Sequence, residues 1–466
     1  MLRLTDTRTR RVEDIVPAKP GVLRIYACGP TVYRYAHVGN LRTFMVSDLI
    51  RRVAEYTGLR VMLVQNITDV GHMQDDQQDA GEDKLLAQAR AEGKDPFELA
   101  RFYEAQFHRD QAAIGVGPAD SYPRASECIE LMQSMLRVLE AKGHAYVGDD
   151  STLYFDARSF PTYGAISGNK LDELRPGHRF DAPADGGAKR FHADWALWKR
   201  AGPQRDMVWD SPWGPGFPGW HIECSAMSVE FLGGVVDVHT GGVDLRFPHH
   251  EDERAQSNSA VGHEVVHHWV HGEHLLFEGR KMAKSTGNVV LVADVEARGY
   301  DPLALRLAFL QANYRQQMNL GWDSIAAADK TLRRWRARVA EWAESPSKPI
   351  CAEYLARVVD AFSDDLDTPT AVIAMRELER DPEIPAGSKF ETFAHLDRLF
   401  GLDVVREVGR TRTADPLPAG AQDLLDRRAT ARQDRDFAAS DTLRDDLAAL
   451  GVAVTDTPAG QTWTVG

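Results

Sequence analysis

The sequence predicts an α/β fold built on a parallel sheet, and two observations near its start support this. An apolar run at residues 22–27 leads through a glycine-bearing loop into a helical pattern, with apolar residues at Leu41, Phe44, Met45 and Leu49. A second apolar run follows at residues 61–64. The order of strand, loop, helix and strand is that of a βαβ unit. A third observation is length, because 466 residues are too many for one core and several domains are expected.

Composition excludes some classes of protein. An apolar share of 43% with 27% charged residues is typical of a globular protein. The sequence contains no uninterrupted apolar span of membrane length, and residues 1–11 lack the apolar core of a secretory signal. We therefore expect a cytoplasmic protein with no membrane partner. The formal charge of −14 argues against general attraction to nucleic acid, so RNA would need a local basic surface.

The four cysteines are scattered and do not form a close-spaced disulfide framework; they are Cys28, Cys128, Cys224 and Cys351. This usage fits a reducing compartment, in which thiols are free for metal binding or chemistry.

The loop after the first strand places His37 and Gly39 at the start of a helix. Free N–H groups and the positive end of the helix dipole meet there, which suits a nucleotide phosphate. A tight turn with a capping histidine fits the same residues. Polar residues at Asn66 and Thr68 follow the second strand, at the sheet edge where ligands bind in open parallel sheets. The acidic stretch at residues 75–84 is expected to be a mobile surface loop.

A second loop, at residues 279–288, carries Lys281 and Lys284 among small residues. By itself it fits a solvated surface loop as well as a phosphate contact. Together, the sequences HVGN at 37–40 and KMAKS at 281–285 resemble the paired HIGH and KMSKS signatures of class I aminoacyl-tRNA synthetases. The stretches 219–227 and 239–253 between them resemble cysteinyl-tRNA synthetases, and this resemblance covers nearly the whole chain.

The resemblance implies a Rossmann-like parallel-sheet catalytic domain with a connective insertion, then an α-helical bundle and a small α+β C-terminal tail. The expected order is the first half of the catalytic domain at 1–125, the insertion at 126–209, the second half at 210–270, a KMSKS-loop and stem-contact region at 271–329, a helical tRNA-binding bundle at 330–405 and a C-terminal anticodon-binding domain at 421–466. The best candidates for RNA backbone contact are basic residues of the first bundle helix: Lys330, Arg333, Arg334, Arg336 and Arg338.

Two cysteines and a His/Glu pair make a candidate metal site. Cys28 and Cys224 are expected at the ends of two strands. If Pro248 opens a helix, His249 and Glu253 share one face of it, although such a pair is often only a surface contact. Two thiolates, an imidazole and a carboxylate suit zinc.

The resemblance, and not the spacing, assigns all four residues as ligands of one Zn²⁺ ion and leaves the neighbouring His239 and His250 outside the ligand set. Zinc binds a thiolate and not a serine hydroxyl, so it would distinguish cysteine from serine.

The resemblance also implies a two-step reaction. The carboxylate of L-cysteine attacks the ATP α-phosphate, giving cysteinyl-adenylate and pyrophosphate, and the acyl group then passes to the terminal ribose of tRNA(Cys). Mg²⁺ is expected with ATP, and the protein is expected to be a monomer. The implied amino-acid pocket is Gly29, Thr68, Trp220 and His239. The implied ATP contacts are His37, Gly39, Asn40 and Lys284, and the implied catalytic residues are His37, Asn40, Lys281 and Lys284.

Four features depart from the family pattern. Asn40 replaces the last histidine of HIGH, and Ala283 replaces the first serine of KMSKS. Phe217 stands where arginine is commoner, and the segment 71–81 differs from the familiar pattern. These departures leave the four implied metal ligands and both lysines in place.

Two rival functions remain. A cysteine ligase of mycothiol biosynthesis would share the catalytic core and join cysteine to an amino sugar, but it would lack a full anticodon-reading tail, and residues 421–466 are present here. A non-catalytic, zinc-stabilised RNA-binding paralogue is disfavoured because His37, Lys281 and Lys284 are intact.

Overall fold

The computed structural model describes residues 1–71, 73–75, 80–174, 189–203, 205–282, 287–410, 417–457 and 460–465. The chain divides into two compact units, Met1–Arg406 and Glu407–Gly466. Within the described ranges, no helix has both the length and the apolar character needed to cross a membrane.

The strands of the first unit are β1 (Arg3–Asp6), β2 (Arg11–Asp14), β3 (Val22–Ala27), β4 (Arg60–Gln65), β5 (Met73–Asp75), β6 (Ala80–Asp83), β7 (Ala145–Val147), β8 (Leu153–Phe155), β9 (Trp195–Arg200), β10 (Gly216–Pro218), β11 (Val236–Gly242), β12 (Val266–Gly272), β13 (Leu275–Phe277), β14 (Arg280–Lys281) and β15 (Met318–Leu320). Its helices are α1 (Val38–Tyr56), α2 (Lys84–Glu92), α3 (Pro96–Ala113), α4 (Ile129–Ala141), α5 (Trp220–Leu232), α6 (His249–Val261), α7 (Val292–Ala297), α8 (Leu303–Leu310), α9 (Trp322–Trp342), α10 (Ala352–Ser363), α11 (Thr368–Arg380) and α12 (Ala386–Phe400).

The central sheet is parallel and has the order β12-β11-β3-β4. In β3, Leu23, Ile25 and Tyr26 are fully buried. Burial of both faces is typical of a parallel sheet covered by crossover helices, and it explains the continuous apolar runs in the sequence. The predicted βαβ unit of β3, α1 and β4 is confirmed. The carboxyl ends of β3, β4 and β11 therefore meet at one edge, where the candidate site lies.

A four-stranded antiparallel sheet of order β10-β9-β8-β7 lies between the two halves of the central sheet in sequence. Its last strand, β10, ends at Pro218, two residues before the start of α5. The chain therefore passes from this sheet almost directly into α5, whose first residue is Trp220.

Part of the acidic stretch at 75–84 lies in strands. Strand β5 pairs with β6, and residues 76–79 between them lie outside the described residues. Asp83 is 1% exposed, and its carboxylate accepts hydrogen bonds from Leu85 N and Leu86 N at the start of α2. The expectation of a surface loop was wrong for Asp83, because this carboxylate caps a helix.

Helices α9 to α12 form the predicted helical region, although α9 begins at Trp322, before residue 330. The arginines of α9 that suggested RNA contact form ion pairs with carboxylates. Arg333 binds Asp329 and Arg338 binds Glu341, while the other two pairs are Arg334 with Glu379 and Arg336 with Asp301. Arg333, Arg334 and Arg338 stay more than 40% exposed in these pairs, so RNA contact by this stretch stays a prediction.

The second unit contains α13 (Ala421–Gln433), α14 (Phe437–Ala449), β16 (Val452–Thr457) and β17 (Gly460–Val465). The two strands pair antiparallel and follow the two helices, so the predicted small α+β tail is confirmed. Its core is small and consists of Ala421, Leu425, Leu447 and Val452. The fully buried Arg428 binds Asp456 at 2.9 Å and so ties α13 to the hairpin.

Candidate active site and metal centre

The first signature loop is a capping box at the start of α1. His37 is the N-cap, its Nδ1 accepts a hydrogen bond from Asn40 N at 3.2 Å, and Asn40 Oδ1 accepts one from His37 N at 3.2 Å. Burial and the charge of Arg34 lower the pKa of His37 to about 4. The imidazole is therefore neutral at pH 7, and because Nδ1 accepts, its proton is on Nε2. The loop thus presents an N–H donor beside the helix N-terminus, a position suited to phosphate.

The second signature loop packs against the first. A Cβ atom added to Gly39 would lie 2.8 Å from Met282 Cε, and Val38 N donates to Val290 O at 2.9 Å. Lys281 is exposed in β14, one residue before Met282. The predicted phosphate contact Lys284 lies outside the described residues. Met282 and Val290, which lie before and after Lys284 in the chain, nevertheless both contact the helix start that carries His37.

Four predicted ligands come together in the core. Cys28 directly follows β3, and its N–H donates to Thr240 O at 3.1 Å. Cys224 is the fifth residue of α5, so the prediction that it lies at a strand end was wrong. The strand β10 ends earlier, and Gly219 then caps a helix. His249 and Glu253 lie on one face of α6, as predicted, with His249 Nε2 2.9 Å from Glu253 Oε1.

The spacing of these ligands fits a metal ion. Cys28 Sγ lies 3.8 Å from Cys224 Sγ and 3.6 Å from Glu253 Oε1. A tetrahedral ion with metal–sulfur bonds of about 2.3 Å would separate two thiolates by about 3.8 Å. The ligand atoms of Cys28, Cys224, His249 and Glu253 all lie within 4.8 Å of one another, and all four residues are buried.

A second group shares two of these residues. Cys28 and Glu253 also lie within 4.8 Å of His239 and His250. Cys28 Sγ is 3.4 Å from His239 Nε2 and 3.3 Å from His250 Nε2. The structure therefore defines a buried Cys/His/Glu cluster that could bind a metal, and geometry alone offers two sets of four ligands.

Electrostatics favours a cation in this cluster. Burial raises the pKa of Glu253 and that of Cys28. Burial also opposes ionisation of Cys224, but the hydrogen bond from Cys28 and the neighbouring His249 lower its pKa. Several negative groups cannot ionise together in a buried site unless a cation compensates them. A divalent metal ion would supply that charge, so the donor set fits a metal chemically as well as geometrically.

Histidines that are not among the four predicted ligands form hydrogen-bond contacts around the cluster. His221 Nδ1 lies 2.7 Å from His249 Nδ1, and His221 Nε2 lies 3.4 Å from Asp252. On the other side, His250 Nδ1 lies 2.8 Å from His271 Nε2. Such outer hydrogen bonds orient metal-ligating imidazoles.

Sequence reasoning missed two of these histidines, His221 and His271. His221 stands within the stretch 219–227 that carries the resemblance, so its position beside Cys224 was an available signal. His271 and its partner Thr7, whose Oγ1 lies 2.7 Å from His271 Nδ1, carry no local signal because they are far apart in the chain.

The predicted amino-acid pocket residues surround the same cluster. Gly29 N donates to Asn66 Oδ1 at 2.8 Å, and a Cβ atom at Gly29 would lie 1.6 Å from Asn66 O, so only glycine fits. Thr68 Oγ1 donates to Glu223 Oε2 at 2.9 Å, beside Cys224. The Trp220 ring stacks on His249 at 4.1 Å, and His239 is fully buried against Cys28. The structure thus brings all four to one place, at the buried Cys/His/Glu cluster.

Comparison with known proteins agrees with this architecture. Residues 14–330 match the family model of the class I (C) tRNA synthetase catalytic domain. The solved Mycobacterium tuberculosis methionyl-tRNA synthetase bound by methionyl-adenylate has a TM-score of 0.55 at 15% identity, covering 90% of this chain and 96% of that one. That likeness concerns the fold alone. The parallel sheet and its two signature loops are those of a class I aminoacyl-tRNA synthetase.

The family within this class follows from the sequence relatives. Residues 414–463 match the cysteinyl-tRNA ligase anticodon binding domain. The chain is 40% identical to the cysteine–tRNA ligase of Thermus thermophilus, with 99% of each chain covered, and 34% identical to that of Treponema denticola, again with 99% of each covered. The chain belongs to the cysteinyl-tRNA synthetase family, whose reaction is class I aminoacylation.

Proposed function

We propose that this chain activates L-cysteine with ATP and transfers it to tRNA(Cys), and that zinc held by Cys28, Cys224, His249 and Glu253 selects the thiol. The observation that carries this proposal is the buried cluster itself, which contains both thiols 3.8 Å apart and lies directly after β3. The same strand leads into the loop with His37. A thiol-binding site and a phosphate-binding site are therefore neighbours on one sheet edge.

The cluster offers a soft donor set. We prefer the ligand set with two cysteines over the one with His239 and His250, because two thiolates favour zinc more strongly than one. Bound zinc would supply affinity for a thiolate that a serine hydroxyl cannot match. Apolar fit is worth only about 1–3 kcal/mol per methylene, so a pocket of shape alone would discriminate poorly between such similar substrates.

The residues around the cluster would hold the remainder of the amino acid. Trp220 is fixed by its stack on His249 and would cover the substrate. Thr68 and Gly29 border the cluster on the side of β3 and β4, where the Asn66 side chain fixes Gly29 N. His239 would contact the substrate from β11. Held in this way, the cysteine carboxylate would point toward the loop at 37–40.

Adenylation requires positioning and charge stabilisation more than a side-chain nucleophile. His37, with its Nε2–H free of the capping interaction, would donate to ATP together with the α1 N-terminus, Gly39 and Asn40. Lys281 and Lys284 would neutralise the leaving pyrophosphate, and Mg²⁺ would accompany ATP. The contact of Met282 with Gly39 supports this role, because it brings the lysine loop to the ATP side of the helix.

The second unit supports tRNA as the acceptor. Residues 414–463 match an anticodon binding domain, which an amino-sugar ligase would not need. We accordingly propose the roles of connective insertion for 126–209, stem contact for 271–329, tRNA binding for 330–405 and anticodon recognition for 421–466. A monomer acting in the cytoplasm, where its tRNA substrate is used, completes the proposal.

The test is cysteine-dependent ATP–pyrophosphate exchange and tRNA(Cys) charging by the purified protein, with zinc quantified. Cys224→Ser should lose zinc and at least about a hundredfold in exchange rate, because one soft ligand is lost. Cys351→Ser, at a half-buried cysteine outside the cluster, is the matched control and should keep both.

Exchange without tRNA charging would favour the amino-sugar ligase. Zinc binding without any cysteine activation would overturn the enzyme proposal and leave a structural metal. Full zinc content in Cys224→Ser would instead contradict the proposed ligand set.

A further inference from the structure

One arginine, Arg205, contacts both Asp83 at the start of α2 and Phe217 in β10. Arg205 Nη2 donates to Asp83 Oδ2 at 2.7 Å, and the two side chains are only 10% and 1% exposed. The guanidinium carbon of Arg205 lies 3.4 Å from the centroid of the Phe217 ring. A planar guanidinium can bind a carboxylate at its edge and stack on an aromatic ring with its face. Arg205 does both at once.

The Asp83 end of this contact holds the segment that follows Thr68. Asp83 Oδ2 accepts a hydrogen bond from Gly71 N at 2.9 Å, while Asp83 Oδ1 accepts one from Leu85 N at 2.9 Å. One carboxylate therefore binds Arg205, the Gly71 backbone and the start of α2. Because Gly71 lies three residues after Thr68, the ion pair fixes the β4 side of the amino-acid pocket.

The Phe217 end holds the opposite side. Phe217 lies in β10, three residues before Trp220 and seven before Cys224. The two sides touch directly, because a Cβ atom added to Gly71 would lie 2.6 Å from Pro218 O. The hydrogen bond from Thr68 to Glu223 is a second link between them. Arg205 thus connects the two sides of the proposed cysteine pocket through Asp83 and Phe217.

We propose that Arg205 is a positioning residue for the cysteine pocket. The inference rests on the proposed function. Arg205 acts through Asp83 and Phe217 and keeps Thr68 and Trp220 at the correct separation. Its loss weakens cysteine binding and has little effect on ATP, because the ATP loop at 37–40 is held by its own capping box.

The experiment is ATP–pyrophosphate exchange by the full-length, zinc-loaded protein at varied cysteine and varied ATP. Arg205→Met keeps the length and apolar stem but removes the charge and the planar face. It raises KM for cysteine by about ten- to a hundredfold, the effect expected of a small displacement at a binding site, with KM for ATP within about twofold. Arg205→Lys keeps the ion pair and recovers part of the loss. Arg158→Met, at an arginine that stacks on Phe191 at 4.0 Å, is the control and leaves both constants unchanged.

If Arg205→Met does not fold, Phe217→Leu, which removes only the stacking ring, replaces it and gives a smaller increase in KM for cysteine.

An unchanged KM for cysteine in Arg205→Met, equal increases in both KM values, or loss of zinc from that variant would overturn the proposal. Exchange by the wild-type protein tests the proposed function separately. If the wild type activates cysteine and the Arg205 variants behave like it, only the positioning role is wrong. If the wild type fails to activate cysteine, the proposed function and this inference both fail.

Discussion

At the scale of single residues, burial decides the ionisation state on which the chemistry depends. His37 is the clearest case, because burial and Arg34 lower its pKa from 6.5 to about 4. A sequence can indicate a histidine at a helix start, but the neutral imidazole and its Nε2 proton follow from packing and from the Asn40 hydrogen bond. The state that suits the proposed ATP contact is therefore a property of the folded loop.

The lowered pKa predicts a pH dependence of stability. Between pH 6.5 and about 4, the unfolded chain binds a proton at His37 that the folded chain does not, so the free energy of unfolding decreases as pH falls through this window. His37→Asn keeps a helix-capping oxygen and removes the titration. Relative to pH 7, the wild type should lose up to about 2 kcal/mol more than His37→Asn at pH 5, measured by urea unfolding.

Carrying out the unfolding with zinc removed from both proteins keeps metal release out of the comparison. Parallel stability curves for the wild type and His37→Asn between pH 7 and 5 would show that His37 titrates normally in the folded protein.

At the scale of elements, buried ion pairs join helices that are distant in the chain. Arg306 of α8 is fully buried, and its Nη2 donates to Asp48 of α1 at 2.7 Å. Its Nε donates to Phe400 O at the end of α12, and its Nη1 donates to Gly115 O after α3 at 3.1 Å. The cation lowers the pKa of Asp48 despite burial. One side chain thus links the catalytic α/β region to the helices that follow it, consistent with their forming one compact unit.

Replacing this cation tests the link. Arg306→Met should lower the free energy of unfolding by about 3 kcal/mol, because it leaves the buried Asp48 with Arg52 as its remaining cation and removes the donor to Phe400 O. Adding Asp48→Asn should recover part of that loss. Arg338→Met, at an exposed pair with Glu341, should cost less than about 1 kcal/mol. Urea unfolding of the four proteins is the measurement, and equal losses at Arg306 and Arg338 would contradict the role of burial.

At the scale of the whole molecule, chemistry and anticodon recognition are assigned to separate units. The cluster, the His37 loop and Lys281 belong to Met1–Arg406, whereas the match to an anticodon binding domain falls on residues 414–463 in Glu407–Gly466. A chain carrying a formal charge of −14 needs local contacts to hold a polyanion, so losing the second unit should affect tRNA much more than small substrates.

A chain ending at Arg406 should keep cysteine-dependent ATP–pyrophosphate exchange within about threefold of the full-length rate, because the small-substrate site is complete. Its KM for tRNA(Cys) in charging should rise by at least about tenfold, the loss expected when several RNA contacts are removed. Steady-state kinetics of both reactions measures this. A parallel loss of exchange would show that the first unit depends on the second for its active conformation.

Much of the candidate site was predictable because several of its signals are local. The capping position of His37 and the common face of His249 and Glu253 depend on neighbours within a few residues. The error at Cys224 is also local in origin: the apolar strand signal ends at Pro218, and a glycine cap then starts a helix, which the strand expectation overlooked.

The sequence by itself determined the βαβ unit of β3, α1 and β4 and the family, because periodicity and motifs depend on consecutive residues. Only the tertiary structure decided which distant side chains meet. It brought Cys28 to Cys224, put His221 behind His249, paired the α9 arginines with carboxylates and stacked Arg205 on Phe217. The physical reason is that such contacts depend on how elements pack, and burial then sets their charge and strength, which no local pattern contains.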